Sequence, residues 1–104
     1  MNILENKLTQ AEKAIAILEV QAVAAAIAGL DAMVKAADVR LIHTEKRLGG
    51  RLVAVVVDGT VSAVTSALDA GREEAAKVGN VMAYAVIPRP HTETQKYLYT
   101  DPLY

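Results

Sequence analysis

Apolar and polar positions change period along this chain, and each change marks an element. Lys13 to Val20 (KAIAILEV) carries apolar residues on both alternating faces, with Ile15, Ile17 and Leu18 in a short run, the pattern of a buried strand. From about Gln21 to Ala37 the period lengthens. Val23, Ile27, Leu30 and Val34 recur at i, i+4, i+7 and i+11, one stripe of an alanine-rich helix. Asp38 breaks it. Val39 to Lys46 (VRLIHTEK) alternates as a strand, with Arg40, Thr44 and Lys46 marking its wetter face. Leu48-Gly49-Gly50-Arg51 reads as a turn between two strands, because paired glycines allow positive φ without steric cost. Leu52 to Val57 (LVAVVV) is the strongest strand signal in the chain. Asp58-Gly59-Thr60 then opens a second helix, with Thr60 or Ser62 as caps and a stripe of Val61, Val64, Leu68, Gly71, Ala75 and Val78. Gly79-Asn80 ends that helix, and Val81 to Ile87 (VMAYAVI) forms a final strand. Pro88-Arg89-Pro90 stops it, since proline lacks the ladder donor. The tail from His91 holds one short helical turn around Glu93 to Tyr97.

The order is β-α-β-β-α-β, a split βαβ arrangement. It predicts an α+β, ferredoxin-like single domain, a four-stranded antiparallel sheet with two helices on one face. Residues 1–12 form a polar leader, 13–96 the folded domain and 97–104 a tail. Gly29-Leu30-Asp31-Ala32 in the first helix is echoed by Ala67-Leu68-Asp69-Ala70 in the second, as expected of two related βαβ units. Leu52 to Val57 is apolar on both faces, yet two helices cover only one face of such a sheet. The leader and tail are expected to shield part of the other face and partner subunits the rest.

Composition narrows the function more than it changes the fold. The 104 residues are 53% hydrophobic and 22% charged, too apolar for a disordered chain. Eleven basic against twelve acidic residues give a net charge of -1, with no nucleic-acid footprint. The absence of cysteine removes disulfides, thiolate metal sites and a cysteine nucleophile together. There is no apolar run of membrane-spanning length and no signal-peptide profile at Met1 to Lys7, so the expectation is a cytosolic domain without membrane contact. An RNA-recognition domain of this fold needs stacking aromatics on its strands, and these strands offer only Tyr84. A metal chaperone needs its cysteine pair, and an acyl-phosphatase-like enzyme needs an anion loop that Glu19-Val20-Gln21-Ala22 does not supply. No enzyme activity, cofactor or metal is expected. His43 reads as a surface or interface histidine, Glu73-Glu74 as a solvated helix face, and Asp31 with Lys35 as an i,i+4 ion pair. Tyr97, Tyr99 and Tyr104 cluster in the last eight residues, either packed on a neighbouring subunit or free.

Two longer motifs carry a family resemblance. DAMVKAADV at Asp31 to Val39 resembles the first-helix signature of the hexamer-forming shell proteins of bacterial microcompartments. VIPRPHT at Val86 to Thr92 resembles the segment that follows their last strand, and Leu68-Asp69-Ala70-Gly71 is similar to the middle of their second helix. The resemblance covers roughly Ala14 to Lys96 and implies a cyclic hexamer that tiles into a polyhedral shell in the bacterial cytoplasm. Implied partners are other copies, other shell proteins, and encapsulated enzymes or their targeting peptides. The implied pore passes small metabolites and is lined by the loop between the second and third strands, here Leu48, Gly49, Gly50 and Arg51. Glycine N–H groups and nearby arginines there would favour anions.

The chain departs from that family in two places. Its loop carries Gly-Gly between Leu48 and Arg51 where a Gly-x-Gly triplet is usual, in a segment one residue longer. At the edge where hexamers meet, Gln21 stands at the usual lysine position and Ala22 at the usual glycine, whereas Arg89 matches the edge arginine and His91 lies beside it. This mixture implies a minor or specialised shell component. The competing reading is a ferredoxin-like sensor domain that oligomerises and binds small-molecule effectors.

Overall fold

A computed structural model describes residues 13–99. Four strands and three helices follow in the order β1 (Ala14–Val20), α1 (Val23–Ala36), β2 (Arg40–Arg47), β3 (Leu52–Gly59), α2 (Val61–Ala76), β4 (Val81–Ile87) and α3 (Thr92–Tyr99), with a short 3-10 turn at Leu48–Gly50. The strands form one antiparallel sheet ordered β2-β3-β1-β4. The α+β class and the split βαβ order read from the sequence both hold. The polar leader at 1–12 and Tyr104 of the tail lie outside the described residues.

The helix-covered face of the sheet carries Ala14, Ala16, Leu18 and Val20 from β1 and Val53, Val55 and Val57 from β3. Its helical lid is rich in alanine and glycine, with Met33, Val64 and Leu68 as its larger members. From α1 the buried side is Ala25, Ala26, Gly29 and Met33, and from α2 it is Val64, Ala67, Leu68, Gly71 and Ala75. α1 lies so close to β1 and α2 that a Cβ on Gly29 would stand 2.8 Å from Leu18 Cδ2 of the sheet, and one on Gly71 2.5 Å from Met33 Cγ of α1. Glycine is required at both places by contact.

This packing reverses the usual reading of the first stripe. Of its four residues Leu30 packs against the core, but Val23, Ile27 and Val34 point away from it and are 37%, 62% and 44% exposed. The larger residues would hold the helices apart, whereas alanine and glycine allow contact, so the core takes the small face. The stripe on α2 is nearer its expected place, with only its ends Val61 and Val78 turned outward. The echoed tetrapeptides also match in place. Gly29 and Ala67 are both buried, and Asp31 and Asp69 are both exposed.

Two further corrections concern the opposite face. Asp58 does not open the second helix. It lies within β3, opposite Ile15 and Arg40, and is 2% exposed. Thr60 is the cap, its Oγ1 accepting from the Ala63 N–H at 3.1 Å. The tail forms an eight-residue helix, α3, extending past the single turn expected and past residue 96. It lies on the face away from α1 and α2, where Leu98 closes a second cluster with Ile15 and Val56, flanked by Ile17, Ile42, Ile87 and Tyr99. Three helices therefore serve the sheet, two on one face and a short one on the other. The register of β2 on β3 shifts between Leu41 and His43, a bulge that leaves Ile42 without an opposite residue.

Candidate functional site

The β2–β3 connection is a tight knob. Leu48, Gly49 and Gly50 take φ of 54°, 66° and 88° in succession, so the chain turns through three consecutive left-handed residues. The Leu48 carbonyl then accepts both the Arg51 backbone N–H at 3.3 Å and the Arg51 Nε–H at 3.1 Å. The guanidinium is thereby folded onto its own turn. The Leu48 side chain stands out into solvent, 68% exposed, and Gly50 abuts α1, with Val23 Cγ2 3.2 Å from where its Cβ would be.

The three residues expected at an outer edge do not come together within one chain. Gln21 sits at the end of the sheet shared with the knob. Its N–H donates to the Asn80 carbonyl at 2.9 Å, and its Oε1 accepts from Asn80 Nδ2 at 2.9 Å. Arg89 and His91 follow the other end of β4, both exposed. His91 starts α3, its Nδ1 accepting from the Glu93 N–H at 3.1 Å and its carbonyl from the Gln95 N–H at 2.9 Å. β4 thus spans the distance between the Gln21–Asn80 corner and the Arg89–His91 corner.

The two long sides of the molecule are apolar and unlike each other. α1 packs over β1 and β3, and α2 over β1 and β4, so the outer stripe of α1 lies on the β2 side. That flank presents Val23, Ile27 and Val34, with Leu41 on β2. The opposite flank presents Val78, Met82 and Tyr84 along α2 and β4, with the Arg72 guanidinium 4.1 Å above the Tyr84 ring. β4 is also an open edge of seven residues without a charged side chain, whereas the other edge, β2, is interrupted by charges and a bulge.

On the sheet face that carries α3, the sequence reading missed a polar network. Asp58 accepts from Arg40 Nε at 3.1 Å and from the Tyr99 hydroxyl at 2.7 Å, with Lys13 Nζ at 3.9 Å. Burial first, then the hydrogen bond to Asp58, pushes the Tyr99 phenol well above the usual tyrosine range. Glu45 accepts from the Tyr97 hydroxyl at 2.6 Å and pairs with His43 at 3.0 Å and Arg47 at 3.2 Å. The Tyr97 hydroxyl, then His43, holds the Glu45 carboxyl below its usual range. Beside them is a shallow depression of about 210 Å³ lined by Glu19, Glu45, Arg47, Leu52, Ala54 and Tyr97. The signal for this network was available: Leu52, Ala54, Val56 and Asp58 share one face by simple alternation.

Among the described residues, no three His, Asp or Glu side chains gather to hold a metal ion, and no helix is long and apolar enough to cross a membrane. The Asp58 and Glu45 networks pair within the chain and tie α3 to the sheet. The exposed knob and the two apolar flanks are the features that face outward.

Comparison with known proteins agrees with the resemblance. The family model described as BMC domain matches residues 14–90. Bacterial microcompartment shell protein PduA of Citrobacter freundii is 48% identical over 87 residues, covering 84% of this chain and 92% of that protein. Bacterial microcompartment shell protein EutM of Salmonella typhimurium strain LT2 is 39% identical over 84 residues, covering 81% and 86%. Among solved structures, a microcompartments protein from Desulfitobacterium hafniense DCB superposes with a TM-score of 0.73 at 30% identity. The match covers 86% of this chain and 48% of that one, so this chain spans about half its length. The chain belongs to the BMC domain family, whose curated relatives here are shell proteins of bacterial microcompartments.

Proposed function

We propose that this protein is a structural subunit of a bacterial microcompartment shell in the bacterial cytoplasm, assembling head to tail into a cyclic hexamer. In this reading Leu48, Gly49, Gly50 and Arg51 surround a central pore for small metabolites. Gln21, Arg89 and His91 lie where hexamers meet, beside other shell proteins and in reach of encapsulated enzymes or their targeting peptides. The observation that carries it is the pair of unlike apolar flanks on opposite sides of one sheet. A patch that matched itself would give a two-fold dimer, whereas two unlike patches on opposite sides give a repeating head-to-tail contact, which forms a ring when the rotation between copies closes. Monomers seldom leave such patches bare.

Light scattering after size exclusion tests the reading. A species of about 67 kDa, six times 11.1 kDa, is expected. A monomer or dimer persisting at high concentration overturns it.

Edge chemistry sets this subunit apart. Gln21 carries no charge and is bonded to Asn80 of its own chain, so the Gln21 corner offers a neighbouring hexamer no cation. Weak tiling with itself and a minor place in a mixed shell follow. Gln21→Lys should strengthen sheet formation, seen as larger flat assemblies by negative-stain microscopy. Unchanged assembly would show that the edge charge is not what limits tiling.

A further inference from the structure

We propose that Leu48 sets the selectivity of this subunit, as an apolar collar that passes small uncharged organic molecules and excludes ions. The proposal rests on the ring reading above and names the class of molecule its opening takes. Leu48 is an outlier twice over. Its φ of 54° puts a branched side chain in the left-handed region, where Cβ crowds the following carbonyl. At 68%, it is also the most exposed of the large apolar side chains described. A turn needing only positive φ is better served by glycine or asparagine, and its surface by a polar group. An outlier held in place by its surroundings points to use.

The surroundings do hold it. The Leu48 carbonyl accepts from the backbone and the Nε of Arg51, and Gly50 rests against Val23 of α1. The knob is therefore continuous with the apolar flank that the ring buries.

Charge near the knob comes from Lys46, Arg47 and Arg51. Arg47 is paired with Glu45 at 3.2 Å, and Arg51 is folded onto the turn that displays the leucine. Anions drawn by these groups reach the mouth but must shed water to pass a ring of leucines, a step that uncharged molecules avoid. On this proposal the anion preference expected from the arginines gives way to exclusion at the leucine ring.

Two measurements on the ring-sized species test this. The chain has no cysteine, so Leu48→Cys introduces a single thiol. A short bismaleimide should link neighbouring copies into covalent dimers. Absence of links in a ring-sized species places the leucines apart and overturns the collar. Leucine-methyl NMR of the wild-type ring then compares butan-1-ol, butyrate and butylammonium at equal concentration, with Leu48→Ala identifying the Leu48 methyls. Butan-1-ol should shift those methyls, and either ion about tenfold less. Equal or larger shifts from an ion, or none from the alcohol, overturn the assignment. A wild-type mass below that of a ring is separately visible, and rejects the ring and the collar together.

Discussion

Ala22 shows how one side chain departs from what its backbone asks. It precedes α1 with φ 88° and ψ 136°, a region open to glycine and costly for any residue with a Cβ, and it offers no side-chain cap to the helix. The resemblance had marked this as a place where glycine is usual, but the sequence alone gave no physical reason; the dihedral angle supplies it. Ala22→Gly should therefore raise stability by about 1 kcal/mol, the relieved strain exceeding the added freedom of the unfolded chain. Urea unfolding followed by circular dichroism checks this, and a loss of stability would mean that the angle carries no strain. Asp58 shows the opposite failure of legibility. An acid between a valine run and Gly59-Thr60 resembles the start of a helix, and only the register of β1 and β2 on β3 reveals that it ends inside the sheet, beneath Tyr99 and Arg40.

At the scale of elements, strands were legible because short apolar runs in β1, β3 and β4 and the alternation of β2 match a period of two, bounded by glycine and proline. Observed bounds differ from the sequence reading by at most a residue or two for β1, β2, β4 and the start of β3. Helix orientation was not, because the core took Ala25, Ala26, Gly29 and Met33 of α1, with Leu30 against them, and left Val23, Ile27 and Val34 outside; hydrophobicity ranks those side chains, but contact distance decides between them. α3 was underestimated for a related reason. Leu98 is its one fully apolar anchor, with the Tyr99 ring packed beside it, and two tyrosine hydroxyls bonded to Asp58 and Glu45 complete the docking. Those bonds make its docking depend on pH in a definite direction. The Tyr99 and Tyr97 phenols are raised in the fold, so their contribution is present below the ordinary tyrosine range and lost as pH climbs above about 10. Glu45 is lowered, so its contribution is present above the ordinary glutamate range and lost as pH falls through that range. Tyr99→Phe should cost about 1 kcal/mol at neutral pH and flatten the alkaline decline, while Glu45→Gln should flatten the acid one. Denaturant unfolding across pH measures both slopes. An alkaline limb unaltered in Tyr99→Phe would remove Tyr99 from the account.

At the scale of the whole molecule, the family was legible from two motifs and the element order, while the means of assembly was not, since it depends on which apolar residues face outward. Val23, Ile27 and Val34 were visible as a stripe in the sequence, but their outward placement appears only when the core is seen to be filled by other residues. A head-to-tail contact between that stripe and the Met82–Tyr84 side makes a prediction that a two-fold contact does not. Ile27→Asp disables one flank and leaves the other intact; Tyr84→Asp does the reverse. Neither position lies in the core, at 62% and 52% exposure, so both variants should fold as the parent does, checked by circular dichroism. Each alone should be monomeric, because every contact needs one flank of each kind. Mixed in equal amounts, the intact α1 flank of the Tyr84→Asp chain meets the intact β4 flank of the Ile27→Asp chain. That pair has a disabled flank at each end and grows no further, so the mixture should give a heterodimer of about 22 kDa, twice 11.1 kDa. If the flanks instead paired like with like, each variant would still dimerise by itself through its intact side and mixing would add nothing. Light scattering on the three samples separates the two geometries, because only complementary flanks make two monomers into one pair.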